Sequence, residues 1–377
     1  MSGASTIVIG RAALLPALAA VQRAVERRNT IPVLANVLIA AEGGRLTLTA
    51  TDLDMEITTG AACQLAGPAV ATTLPAASLH DIVRKLPDGC EVQLSGDAQA
   101  WTIAAGRSKF RLPCLPASDF PAMGRTDMPA SFALPARTLA AMIGAVRFAI
   151  STEETRYYLN GIHWHRDEAE NLLVAVATDG HRMARFAAGL PQGAAELPPV
   201  ILPRKTVDVV AKMLPDDGDV DIEVSQTRVG FGLADGTRLV SKLIDGTYPD
   251  YRRVVPVGNG NRFLVDKGAL VAAVDRVTTI SAGRGSAVKF GFGDGELVLS
   301  ADNKDIGGSG EDGLAIVMQD GAPVEIGFNG RYCLDMLAAT AAENVIFELG
   351  DAGSPVRIVP DDAGDNGPYF VIMPMRV

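Results

Sequence analysis

The feature that most limits how this chain can fold is a threefold internal repeat. "LTLTATD" from Leu46, "LVAVATD" from Leu173 and "LVLSADN" from Leu297 start 127 and 124 residues apart. Each alternates apolar with small or polar side chains and then breaks at an acid or amide, the pattern of a strand running into a turn. A second series keeps the step: "LPAASLHDIVRKLPDGCEVQLSG" from Leu74, "LPRKTVDVVAKMLPDDGDVDIEVS" from Leu202 and "FNGRYCLDMLAATAAENVIFELG" from Phe328, separated by 128 and 126 residues. In each, a polar or small residue opens an apolar-periodic segment, an acidic or Gly/Asn turn closes it, and an alternating strand follows. A third series supplies another helix per copy: "GRAALLPALAAVQRAVERR" from Gly10, "PARTLAAMIGAVRFAIS" from Pro135 and "DKGALVAAVDRVTTIS" from Asp266. Repetition at a fixed period decides architecture before any motif does. The chain therefore reads as three copies of one α+β domain, bounded at 1–127, 128–257 and 258–377.

Composition narrows the class. At 377 residues the chain is too long for one ordinary core, and 48% apolar with 21% charged residues is a globular balance. Cys63, Cys90, Cys114 and Cys333 form no CxxC pair, so neither a disulfide framework nor a zinc ribbon is supported and a reducing cytoplasm is expected. "RAALLPALAAV" from Arg11 is too short to span a bilayer and has no basic region before it, so it reads as an amphipathic helix with Pro16 near its first turn or at a kink, and no membrane role is expected. A net charge of −10 argues against a nucleic-acid partner only if the charge is evenly spread. Over the six predicted helices, Lys and Arg exceed Asp and Glu by roughly seven, which leaves the strands and loops strongly acidic. Positive helices in a negative body suit a helical surface that faces phosphate.

Motifs of catalysis are thin. "ATDGHRMA" from Ala177 offers Asp179 and His181 as an acid–base pair for a hydrolase, but Gly180 between them signals a turn and no GxSxG accompanies them. "HWH" places His163 and His165 on one face of a strand, and a metal site assembled from these with His181 leaves its third ligand unplaced. "GFGDGE" from Gly291 is a hairpin turn, and no phosphate-binding GxxxxGK[ST] loop is present. No metal or cofactor is expected. The first copy has "ATDLDME" and the third "SADNKD" where the second has its histidine, so one copy has been specialised on a shared frame.

The blocks "NTIPVLANVLI", "TATDLDMEI", "RYYLNG", "ATDGHRMA", "VILPRK", "SKLIDGTYPDYRRVVP", "EIGFNGRYCLDML" and "YFVIMPMRV" occur in this order and carry a resemblance over nearly the whole chain. The chain resembles the bacterial sliding clamp family, the beta subunit of the DNA polymerase III holoenzyme. That resemblance implies three clamp domains per chain in a head-to-tail homodimeric ring, helices inside and sheets outside, closed around double-stranded DNA. It implies a non-catalytic processivity factor that tethers the polymerase III catalytic subunit, meets the clamp loader and admits other replication and repair proteins, all through short peptides docking in one groove.

Carried onto this sequence, the resemblance and helix position imply DNA contacts at Arg28, Arg84, Lys85, Arg204 and Lys205, with Arg147 and Lys212 suggested by spacing only. Tyr157 and Tyr158 read locally as strand residues, one ring buried and one exposed; the family resemblance instead implies a loop that reaches DNA, where an exposed ring stacks on an unpaired base. The groove is implied to use Leu159, Thr178, Gly180, His181, Arg182 and Met183, with Pro249, Arg253 and Val254, then Asn329, Tyr332, Val371, Met373, Pro374, Met375 and Arg376. Flexible thioethers suit a surface that repacks around different apolar partners. The dimer contact is implied at Phe110 and Leu112 on one side and Ile280 on the other.

Overall fold

The computed structural model describes residues 5–26, 30–124, 126–280, 287–293, 295–303, 307–364 and 367–376. Copy one runs β1 (Thr6–Gly10), α1 (Arg11–Val21), β2 (Asn36–Glu42), β3 (Arg45–Thr51), β4 (Met55–Ala62), β5 (Gln64–Ala66), β6 (Val70–Pro75), α2 (Ala76–Lys85), β7 (Glu91–Gly96), β8 (Ala100–Ala105) and β9 (Ser108–Pro113). Copy two runs β10 (Ala130–Pro135), α3 (Ala136–Val146), β11 (Gly161–Asp167), β12 (Leu172–Thr178), β13 (Arg182–Gly189), β14 (Val200–Pro203), α4 (Arg204–Met213), β15 (Asp219–Val224), β16 (Arg228–Gly232) and β17 (Arg238–Lys242). Copy three runs β18 (Asn261–Asp266), α5 (Lys267–Thr278), β19 (Ala287–Phe292), β20 (Glu296–Asn303), β21 (Gly308–Asp320), β22 (Val324–Asn329), α6 (Gly330–Ala338), β23 (Asn344–Leu349), β24 (Val356–Pro360) and β25 (Tyr369–Ile372). With the short β5 set aside, every copy is one strand–helix–three-strand motif used twice.

The chain divides into two compact units. The first, residues 1–136 with 208–243, holds a five-stranded sheet β5-β1-β7-β8-β9 and an eight-stranded sheet β10-β15-β16-β17-β4-β3-β2-β6. Its helix α1 buries Leu14, Ala17, Leu18 and Val21 against β4 and α2. In α2, Ala76, Leu79 and Val83 form the buried stripe, while Arg84 and Lys85 stand in the last turn, where the helix dipole favours cations. The second unit, residues 137–207 with 244–377, holds one twelve-stranded sheet, β14-β11-β12-β13-β25-β24-β23-β18-β21-β20-β19-β22. There α5 packs on α6, above a core that includes the fully buried Phe263, Phe290, Phe292, Phe328 and Phe347. Asp266 caps α5 by accepting from Ala269 N at 2.6 Å.

Two seams join the copies, and both have the same construction. In the first unit β4 pairs antiparallel with β17, Met55 opposite Ser241; in the second β13 pairs with β25, Arg182 opposite Ile372. Each seam joins the fourth strand of one copy's first sheet series to the last strand of the next copy. The strands holding those two places without such a partner are β9, at the end of its sheet, and the Gly308–Ala315 half of β21, which among the described residues pairs with β20 alone.

One local reading needs correction. The first helix stops at Val21, so the basic "ERR" lies beyond it and Arg11 is its only basic residue. Of the two places open to Pro16, the structure puts it inside that helix, beyond the first turn. In "LVLSADN" the strand runs past its acid and ends at its amide, Asn303, which pairs with Gly308.

Candidate functional site

The "ATDGHRMA" segment folds as the tight turn between β12 and β13. Thr178 Oγ1 accepts from Gly180 N at 3.1 Å and donates to Arg182 O at 2.7 Å. Asp179 Oδ1 accepts from His181 N (2.9 Å) and Arg182 N (3.0 Å), the geometry by which an aspartate nucleates its own turn. Gly180 has φ of 90°, a backbone conformation that favours glycine, and a Cβ there would displace the Arg156 guanidinium, whose Nη1 would lie 2.5 Å away. The first copy repeats this grammar: Thr51 Oγ1 donates to Met55 O at 2.8 Å and Asp52 Oδ1 accepts from Asp54 N and Met55 N. The threonine and aspartate of "ATD" are turn-forming residues. Asp179 is also held by Arg182, whose Nε donates to Oδ2 at 3.0 Å, so both carboxylate oxygens are engaged and the acid–base reading falls.

Arg182 is the hub. Its side chain is 13% exposed, and besides Asp179 it donates from Nη1 to Asp335 Oδ2 (2.7 Å) and from Nη2 to Phe148 O (3.0 Å). Its Cζ lies 4.3 Å from the Tyr332 ring centroid and 5.2 Å from that of Phe148. Asn329 sets Tyr332 from the other side by capping α6, its Oδ1 accepting from Arg331 N (3.0 Å) and Tyr332 N (3.3 Å). One guanidinium thus ties the start of β13 to α6 and to the short 3₁₀ turn Arg147–Ala149. Asp335 and Phe148 carry no sequence signal, because the contacts that define them span 153 and 34 residues.

Around this hub the implied groove residues separate into floor and rim. Leu159, Met183 and Val371 are buried in one cluster with Val174, Val176, Ile201, Tyr248 and Tyr251, and Thr178 and Tyr332 are half-buried. His181 is exposed, its ring centroid 6.3 Å from that of Tyr332, and its carbonyl accepts from Met373 N at 2.9 Å. Two residues on, Met375 N donates to Gly327 O at 2.8 Å, so the tail crosses from this turn to β22. Met373 is 40% exposed, Pro374 and Met375 are half-buried, and Arg376 is exposed. Pro249, Arg253 and Val254 are exposed on the segment that follows β17 and crosses the cluster. Pro374, Met375 and Arg376 also line a cleft of about 970 Å³ with Lys289, Asp302, Glu325 and Ile326.

"HWH" lies on β11 with Trp164 fully buried on one face and the two histidines on the other. His163 Nδ1 lies 3.2 Å from Val200 O and His165 Nδ1 3.0 Å from Arg166 O. A carbonyl only accepts, so both protons sit on Nδ1, and His165 Nε2 accepts from Tyr251 Oη at 3.0 Å. His163 stacks on Tyr248, centroids 4.6 Å apart and planes 6° from parallel. His181 does not join them: among the described residues no group of three or more His, Cys, Asp or Glu side chains could hold a metal.

Burial pushes the His163 imidazole down from 6.5 to about 4, with His165 and Arg252 acting the same way and the Val200 carbonyl opposing. Burial also lowers His165, helped by Arg252 and Arg185 and opposed by the Arg166 carbonyl and Asp167. Tyr248 and Tyr251 also face this pair, and Arg166, Glu168 and Asp250 line the same cavity. The unfolded chain takes up protons as pH falls through 6.5, while folded His163 does not until about 4. Stability is therefore full above 6.5 and lost over that window, by about 3 kcal/mol from His163. Urea unfolding at several pH values should show this slope in the wild type and a flatter one in His163→Leu; equal slopes would refute it.

The implied DNA residues stand as follows. Arg84 pairs with Asp81 at 3.2 Å, and Lys85, Arg204 and Lys205 are exposed; Arg28 lies outside the described residues. The tyrosines are not on a strand but on the 3₁₀ segment Glu154–Leu159, Tyr157 54% exposed and Tyr158 packed on the groove cluster. Phe110 and Leu112 share a face of β9, Phe110 being 40% exposed. Ile280 is half-buried against β21, where a Cβ on Gly310 would come within 3.0 Å of it.

Models of the DNA polymerase III beta subunit match this chain three times: its N-terminal domain at residues 5–124, its central domain at 133–250 and its C-terminal domain at 252–376. The chain belongs to the DNA polymerase III beta subunit family, a family of non-catalytic sliding clamps. It is 46% identical over 376 residues to the beta sliding clamp of Caulobacter vibrioides strain NA1000, covering 98% of this chain and 100% of that one. With the beta sliding clamp of Escherichia coli K12 the identity is 35% over 373 residues, covering 98% and 99%. The crystal structure of the Bartonella birtlesii sliding clamp bound to griselimycin matches with a TM-score of 0.95 at 44% identity, covering 99% of this chain and 100% of that one.

Proposed function

We propose that this chain is a DNA sliding clamp: two copies close head to tail into a ring around duplex DNA and hold the polymerase III catalytic subunit, the clamp loader and other replication and repair proteins by short peptides. The observation that carries the ring is the repeated seam. The strand pairing used twice within the chain leaves β9 and the first half of β21 in the same two roles, so β9 of one copy completes β21 of another, beside Phe110, Leu112 and Ile280. A heterologous contact of this kind either closes or polymerises, and closure leaves no exposed edge.

Domain limits at 1–127, 128–257 and 258–377 give the ring six domains. Arg28, Arg84, Lys85, Arg204 and Lys205 supply non-specific attraction to phosphate, and the exposed Tyr157 ring stacks on an unpaired base. The net charge of −10 keeps the outer surface from competing for DNA. His181, Tyr332, Met373, Met375 and Arg376 line the peptide groove over the floor of Leu159, Met183 and Val371. Tethering raises the polymerase's effective concentration at the primer end without any bond being made or broken. Among the described residues no helix is long and apolar enough to cross a membrane, and a cytoplasmic site of action fits the four free cysteines.

The test is topological. Loaded by a clamp loader onto nicked circular DNA, the protein should co-sediment with the circle and be lost when the DNA is linearised; equal retention on both forms would sink the ring. Deleting Met373–Val377 should leave the dimer intact in sedimentation velocity and weaken binding of a labelled peptide from the polymerase III catalytic subunit by about a hundredfold.

A further inference from the structure

The segment Ile244–Val255, which follows β17, crosses one face of the twelve-stranded sheet as a strap, and it carries Pro249, Arg253 and Val254 of the proposed peptide groove. What fixes its height over the sheet is a pair of aromatic contacts from beneath. Tyr248 stacks on His163 at 4.6 Å, and Tyr251 donates its hydroxyl to His165 Nε2 at 3.0 Å. Neither imidazole is free to turn, since each Nδ1–H is spent on a backbone carbonyl, Val200 O or Arg166 O. Asp250, between the two tyrosines, accepts from Arg252 N and so caps the 3₁₀ turn Tyr251–Val254 that presents Arg253 and Val254. Arg252 pairs with Asp167 at 3.1 Å on the same side.

A cavity of about 400 Å³ opens beside these contacts, walled by His163, His165, Leu197, Pro199, Tyr248 and Tyr251. It gives the strap somewhere to go once its hooks are removed.

We propose that His163 and His165 are positioning residues of the peptide groove, holding the Tyr248–Tyr251 turn at the height from which Pro249, Arg253 and Val254 reach the peptide. The histidines touch no peptide themselves. This rests on the groove reading above and adds two residues and a mechanism to it: peptide affinity depends on a hydrogen-bond acceptor at position 165 that faces away from the groove surface. A purely apolar side chain there would fill space but leave the buried Tyr251 hydroxyl without its acceptor.

The experiment measures the dissociation constant of a labelled peptide from the polymerase III catalytic subunit on full-length dimer, with melting temperature and dimer sedimentation measured in parallel. His165→Leu should weaken binding about tenfold while the dimer sediments as the wild type does. His165→Gln, whose Oε1 can accept from Tyr251, should recover most of that loss. Tyr251→Phe should weaken binding at least as much, since it also gives up the bond between the Tyr251 hydroxyl and Arg185, and the His165→Leu, Tyr251→Phe double variant should bind no worse than Tyr251→Phe alone, because the bond between the two residues is already gone. Wild-type affinity in His165→Leu, a loss that glutamine does not recover, or additive losses in the double variant would each overturn the hook. Absence of peptide binding to the wild-type protein would instead overturn the groove reading itself.

Discussion

Arg182→Ala should cost about 3 kcal/mol of stability and weaken peptide binding by about a hundredfold or more, whereas His181→Ala should leave stability within about 0.5 kcal/mol and affect binding alone. The contrast follows from where the two side chains point. Arg182 is 13% exposed and holds Asp179, Asp335 and the Phe148 carbonyl at once. Removing it strands the Asp179 carboxylate, itself only 17% exposed, which is the expensive way to break an ion pair. Asp335 lies nearer solvent and adds less. The Tyr332 ring also loses the cation stacked 4.3 Å from its centroid and with it the contact that sets the far wall of the proposed groove. Arg182→Lys should recover little, because one ammonium cannot serve three acceptors in a plane and stack on two rings. Denaturant unfolding read beside the peptide dissociation constant checks this. Arg182→Ala with wild-type stability would show that the hub is ornamental.

How much of this was legible in the sequence depends on contact range. The repeat was, because strand alternation and helix periodicity are local and recur at an almost constant step, and the seams then follow the repeat. The doubling inside each copy was not, since α1 "RAALLPALAAV" and α2 "AASLHDIVRK" share a place in the motif without sharing a pattern. The turn at Thr178–Arg182 was half legible: Asp and Gly announce it, while the partners of Arg182 come from residues 148 and 335, which no window joins. "HWH" read correctly as two same-face histidines, but its meaning waits on Tyr248 and Tyr251, some 85 residues away. "RYY" misled for a physical reason. Adjacent tyrosines that bury one ring and expose the other look like a strand, yet a 3₁₀ segment achieves the same split, with the rings edge-on at 5.8 Å.

The ring makes the other large prediction. Phe110→Asp combined with Ile280→Asp should convert the dimer to monomer, raising its dissociation constant by about a thousandfold or more, and abolish retention on nicked circular DNA while leaving the peptide dissociation constant unchanged. Placing a carboxylate where an apolar side chain is to be covered costs about 2 kcal/mol or more per site through lost apolar burial and desolvation. A head-to-tail dimer carries the same contact twice, so every substitution weakens both closures together. Strand pairing between β9 and β21 would persist in principle, as backbone bonds need no particular side chain, but at the internal seams the pairing is accompanied by buried residues such as Met55, Ile57 and Leu239 at one and Met183 and Phe370 at the other. Ladder without burial is not enough to hold two chains at low concentration. The residues of the proposed peptide groove all lie within 137–207 and 244–377 of one chain, which is why its affinity should survive in the monomer. Sedimentation velocity separates the outcomes: a variant that remains dimeric would move the interface away from β9 and β21, and a monomer that loses peptide affinity would mean that the second copy completes the groove.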